Sequence, residues 1–100
     1  MEELHLSHKV EICGIPYLVV EKEDVFDATA AHYGQVDFLN CVITINKNMA
    51  PELKNQTVCH EMVHAILTNL GYSEQSDDEQ FVQALASAIN QSFVIKVYPA

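Results

Sequence analysis

Tryptophan is missing from this chain, glycine and proline number three each, and only five residues are Lys or Arg. The scarcity of positive charge excludes the most. Set against 14 acidic residues it leaves a formal charge of −9, and the few basic residues form no cluster. Phosphate backbones and anionic bilayers are gripped through Lys and Arg, so neither nucleic acid nor a membrane surface is an expected partner. No apolar run approaches the roughly 18 residues that cross a bilayer. Residues 1–6 lack the basic stretch and apolar core of a secretory signal. Cys13, Cys41 and Cys59 are odd in number and show no C-x-x-C spacing, which argues against disulfide staples, zinc knuckles and redox pairs. Three reduced thiols fit a cytoplasmic address. Repeats, linkers and low-complexity tracts are absent too.

What is there is enough for one core. With 100 residues and 49% hydrophobic side chains, residues 1–100 read as a single domain, too small to add a separate recognition module.

Lys9 to Glu21 alternates and is rich in β-formers, so a hairpin is expected with its turn at Cys13-Gly14 and Pro16 near the start of the second strand. His5 and His8 precede it in a start with no pattern of its own, and are expected to be solvated. Asp24 is a plausible cap for a short helix over 25–32 that Gly34 ends. Val36 to Lys47 reads as a second hairpin turning at Asn40-Cys41. In its second strand Val42, Thr44 and Asn46 share one face and Ile43 and Ile45 the other. That mixed pattern predicts an edge strand, able to accept an extended peptide. Pro51 opens a long helix that runs to Leu70, with Gly71 as its stop. Ser73 to Asp78 is a polar connector, and Ser76-x-x-Glu79 matches a capping box. A second helix follows from Asp77 to about Ser92, with Phe81, Val82, Leu85, Ala88 and Ile89 repeating at helical spacing. Phe93 to Tyr98 is either a last strand or a frayed helix end.

The long helix carries the pattern that matters. His60-Glu61-Met62-Val63-His64 reads H-E-x-x-H. Residues four apart lie on one helix face one turn apart, so both imidazoles can reach one cation at about 2.0–2.1 Å. Glu61 is placed to take a proton from a water that the cation polarises. Ordinary boundary histidines are the bland alternative. Against it stand Val63, Ala65, Ile66, Leu67 and Leu70, which predict a buried helix where unpaired imidazoles would be costly. Cys59 points about 100° away from His60 on such a helix and reads as core rather than ligand.

A catalytic zinc takes three protein ligands and keeps one position open. No histidine follows His64, which leaves Glu74, Asp77, Asp78 and Glu79. Glu79 is preferred, provided Phe81, Val82 and Leu85 turn towards the core. Its rival role is the closing residue of the capping box, and Asp78 is the alternative ligand. His32, Tyr33, Tyr72 and Tyr98 are candidate donors to a developing oxyanion, each competing with a plain boundary role.

The Val42-Ile-Thr-Ile strand, the His60-Glu61-Met62-Val63-His64-Ala65 helix and an acidic residue opening a Phe/Leu/Ala-rich helix together resemble the ImmA/IrrE-like zinc metallopeptidases. The likeness spans roughly Val36 to Ile89 and is nearest to the short forms of phages and mobile elements. It implies an α+β minimal zincin-like domain: a small antiparallel or mixed sheet of two hairpins on a metal-binding helix and a second, C-terminal helix. It also implies zinc held by His60, His64 and a glutamate matching Glu79, with Glu61 as acid/base. The implied activity is limited hydrolysis of a protein or peptide substrate, with a phage or mobile-element regulator as the implied target. Here the chain reads Glu79-Gln80-Phe81-Val82-Gln83-Ala84, where longer members have Glu-Ala-Asn/Asp-x-Phe-Ala. The alternative function is a catalytically idle, metal-binding accessory protein. The sequence says nothing of oligomeric state.

Overall fold

A computed structural model describes residues 5–23 and 33–99. The expected helix over 25–32, its Asp24 cap and His32 lie outside the described residues. The elements run β1 (His5–Ile12), β2 (Ile15–Lys22), β3 (Gly34–Asp37), β4 (Val42–Asn46), α1 (Pro51–Asn69), α2 (Ser73–Asp77) and α3 (Glu79–Ser92). The protein is α+β.

β1 and β2 pair antiparallel, Ile12 opposite Ile15 and His5 opposite Glu21. Cys13 and Gly14 join them with φ of 52° and 80°. Two consecutive left-handed residues match the strands' right-handed twist in a two-residue hairpin. The strand begins earlier than its residues announce. His8 was expected in a loose, solvated start; it is half-buried in β1, and that burial lowers its pKa. A run such as His-Leu-Ser-His has little β-propensity, and the partner strand recruits it.

β3 and β4 form the second hairpin around residues 38–41. The Asp37 carboxylate organises this turn, accepting from the amides of Leu39 and Asn40 at 3.1 Å each and from Asn40 Nδ2 at 2.9 Å. Those bonds hold its pKa below the ordinary value.

The hairpins meet through β2 and β4, which run parallel, giving a mixed sheet in the order β1-β2-β4-β3. The expected edge strand is therefore misplaced. β4 is paired on both sides, and β3 forms the edge. Alternation reports which faces are covered; an edge is set by backbone partners, about which side-chain pattern is silent.

α1 lies between the sheet and α3. Val58 and Ala65 meet Val10, Ile12, Tyr17, Val19, Ile43 and Ile45. On another side Cys59 and Val63 meet Val82 and Ala86 of α3. Apolar side chains consequently surround much of α1 instead of forming one stripe. Cys59 is core, its thiol 3.4 Å from the Ala86 carbonyl, and burial pushes its pKa up. Gly34 lets the edge strand settle on α1: a Cβ there would stand 2.7 Å from Thr57 Cγ2 and 3.0 Å from the Thr44 carbonyl. It opens β3.

Three features of the C-terminal half differ from expectation. Ser73–Asp77 is a short helix, not a connector. The cap of α3 is Asp78, which accepts from the Phe81 amide at 3.1 Å, so the Ser76–Glu79 box does not form. Phe81 and Leu85 remain 43% and 36% exposed, while Val82 and Ala86 are fully buried. Small Ala86 against Cys59 allows close approach, and the helix turns its small-residue row inward. Past α3 the chain is extended, and Tyr98 and Lys9 exchange backbone bonds of 2.8 and 2.9 Å.

Candidate metal centre

Rotation of α3 about its axis places Glu79 and Gln83, four residues apart, beside His60 and His64, four apart on α1. Glu79 Oε1 is 3.0 Å from His60 Nε2, and Oε2 is 3.1 Å from His64 Nε2. One ligand atom from each of the three residues falls within 4.8 Å of the others. The ring centroids are 4.9 Å apart and the planes are inclined by 66°. Donors about 2.1 Å from a tetrahedral ion lie about 3.4 Å from one another, close to the spacings seen.

The outer ring nitrogens are engaged. His60 Nδ1 lies 2.6 Å from the Gln83 amide oxygen, an acceptor, so Nδ1 carries the proton. His64 Nδ1 lies 3.3 Å from the Ser76 hydroxyl. That hydroxyl donates to the His64 carbonyl at 3.3 Å, so it accepts from the ring. With the rings neutral, both Nε2 atoms present lone pairs towards the carboxylate. Three acceptors with no donor among them are a set that a cation satisfies, and imidazole with carboxylate is a donor set suited to zinc. The residues fit a zinc ion.

Glu61 is 7% exposed, in contrast to Glu79 on the open side of the cluster. Burial outweighs the pull of His60, the field of Glu79 adds a smaller push, and the Glu61 pKa rises from 4.5 to about 7. A carboxyl so tuned can accept and return a proton near neutral pH. Glu61, both histidines and Glu79 line one cavity of about 890 Å³. Gly34, Gln35 and Val36 of β3 line it too, with Tyr33, Phe38 and Leu53 giving an apolar end and Ser73, Ser76 and Asp77 a polar one.

The other candidates fall elsewhere. Tyr33 is on the cavity wall, half-exposed. Tyr72 follows α1, its amide bonded to the Leu67 carbonyl at 2.8 Å, and is not among the lining residues. Tyr98 pairs with β1. Asp78 caps α3 and is not in the converging group. Sequence reasoning missed Ser76 and Gln83 as neighbours of the histidines. The signal for Gln83 was its spacing of four from Glu79; Ser76 was hidden by its apparent role as a cap.

Among protein-family models, the one described as IrrE N-terminal-like domain, a peptidase family, matches residues 16–91. No curated protein and no solved structure matches the chain.

Proposed function

The chain belongs to the IrrE N-terminal-like peptidase family, and from that premise we propose that residues 1–100 form one zinc-dependent endopeptidase domain that cuts a specific protein substrate. The family carries a metallopeptidase-type function and protein substrates as a class. Zinc, the role of each residue and a phage or mobile-element regulator as substrate are our reading, as is action in the cytoplasm. The described helices include none long and apolar enough to cross a membrane.

The observation that carries the reading is the convergence of His60, His64 and the Glu79 carboxylate beside the buried carboxyl of Glu61. His60, His64 and Glu79 would hold the ion. When bound, zinc supplies Lewis acidity, polarising the scissile carbonyl and bringing the pKa of a water to about 7. Glu61 accepts the proton of the attacking water and passes it to the leaving amine, a shuttle suited to a buried carboxyl beside the histidines. β3 supports an extended substrate: it is the sheet edge on the cavity, with backbone groups able to pair with an added strand. Tyr33, on the same wall, can donate to the developing oxyanion.

Zinc-loaded wild type and Glu61→Gln, each added to a proteome whose new amino termini are then labelled, test the reading. Wild type should generate a small set of new termini that the variant lacks at equal zinc content. Silence from both proteins would favour the idle accessory role.

A further inference from the structure

The outer nitrogens of the centre's two histidines are engaged by Gln83 and Ser76. We propose that Ser76 and Gln83 are positioning residues that lock the His64 and His60 rings with Nε2 inward and thereby set the affinity for zinc. This rests on the zinc-centre reading above.

The helix leaves one freedom open. Spacing of four brings two imidazoles to one face, but neither chooses which nitrogen carries the proton nor fixes the ring's rotation. The partner of the outer nitrogen settles both. For His60 that partner is the Gln83 carbonyl oxygen, at 2.6 Å. The amide of Gln83 is itself oriented, since its nitrogen donates to Ser87 Oγ at 3.3 Å. Ser87 Oγ also accepts from Gln56 Nε2 at 3.1 Å, and Gln56 Oε1 accepts from Asn90 Nδ2 at 3.0 Å. This chain of amides ties α1 to α3 and presents oxygen, not nitrogen, to the His60 ring.

For His64 the partner is the Ser76 hydroxyl, 6% exposed. A hydroxyl has one proton and two lone pairs. Ser76 uses all three: it donates to the His64 carbonyl and accepts from His64 Nδ1 and from Thr68 Oγ1, at 3.3, 3.3 and 3.1 Å. With its only proton engaged by the carbonyl, Ser76 meets Nδ1 as an acceptor, which holds the ring in the Nδ1–H form. One ring is therefore set from α3 and the other from α2. That gives the short helix a purpose beyond connection. It also separates the two effects, because either clamp can be removed without touching the other.

Gln83→Leu removes the acceptor at similar size on an exposed position, Gln83→Glu keeps one, and Ser76→Ala removes a single oxygen. Zinc affinity measured by competition with a chromophoric chelator should fall about 10- to 100-fold for Gln83→Leu and for Ser76→Ala, and return to within about threefold of wild type for Gln83→Glu. Long-range proton–nitrogen NMR of zinc-loaded protein gives the specific signature. With zinc on Nε2 each ring carries its proton on Nδ1, and exchange of that proton with solvent should speed up at His60 alone in Gln83→Leu and at His64 alone in Ser76→Ala. One tight zinc site in wild type, with unchanged affinity and unchanged Nδ1–H exchange in the variants, would overturn this proposal while leaving the zinc centre standing. Absence of zinc binding by wild type would overturn both.

Discussion

Replacing Glu61 by Gln in the metal-free protein isolates the cost of burying that carboxyl. Folding lifts its pKa from 4.5 to about 7, chiefly by taking it out of water. The sign follows from proton binding. Below pH 4.5 the group is neutral in both states and favours neither. As pH rises the unfolded chain releases the proton first, so stability drains away until the folded group also ionises near 7 and the loss levels off. A difference of about 2.5 units at 1.36 kcal/mol each makes the full loss about 3 kcal/mol. Gln has nearly the same shape and does not titrate. Urea unfolding of wild type and Glu61→Gln, in chelator, across pH 4.5 to 8 cancels the groups common to both. The variant's stability relative to wild type should climb by about 3 kcal/mol between those limits, most steeply between about 4.5 and 7. A difference that stays flat with pH would refute the claim that Glu61 is held neutral by its surroundings.

Two further substitutions probe the scaffold. Gly34→Ala should cost about 1–3 kcal/mol in urea unfolding, because the new methyl meets the β-branched Thr57, fixed through its hydroxyl to Leu53 at 2.7 Å, and the Thr44 backbone. An unchanged midpoint would mean that β3 does not sit tightly on α1. Asp78→Ala should cost about 1 kcal/mol through loss of the α3 cap. It should leave one zinc per chain by elemental analysis, whereas Glu79→Ala should lose the metal; the reverse pattern would make Asp78 the ligand.

Much of this arrangement was legible beforehand. H-E-x-x-H, Pro51 and Gly71 marked α1 because helix spacing and end signals are local. Both hairpins were marked by their turns, Cys13-Gly14 among them. What escaped was decided between elements. Val42–Asn46 alternates as an edge strand would, yet the parallel pairing with β2 puts it inside the sheet. Ser76 fits a capping box, but Asp78 takes the cap and leaves the Ser76 hydroxyl to His64. Phe81 and Leu85 are the larger side chains of α3, yet the Ala86–Cys59 contact sets which row turns inward. That rotation is what brings Glu79 to the histidines, so a packing detail unreadable from periodicity completes the candidate site.

The central claim is a metal held by two imidazoles and a carboxylate. X-ray absorption at the zinc edge of the loaded protein reads that shell directly. One zinc per chain is expected, with a nitrogen and oxygen shell at about 2.0–2.2 Å and multiple scattering from two imidazoles. A sulfur shell at about 2.3 Å, which would put a cysteine thiol on the metal, or a zinc content far below one per chain, would contradict it.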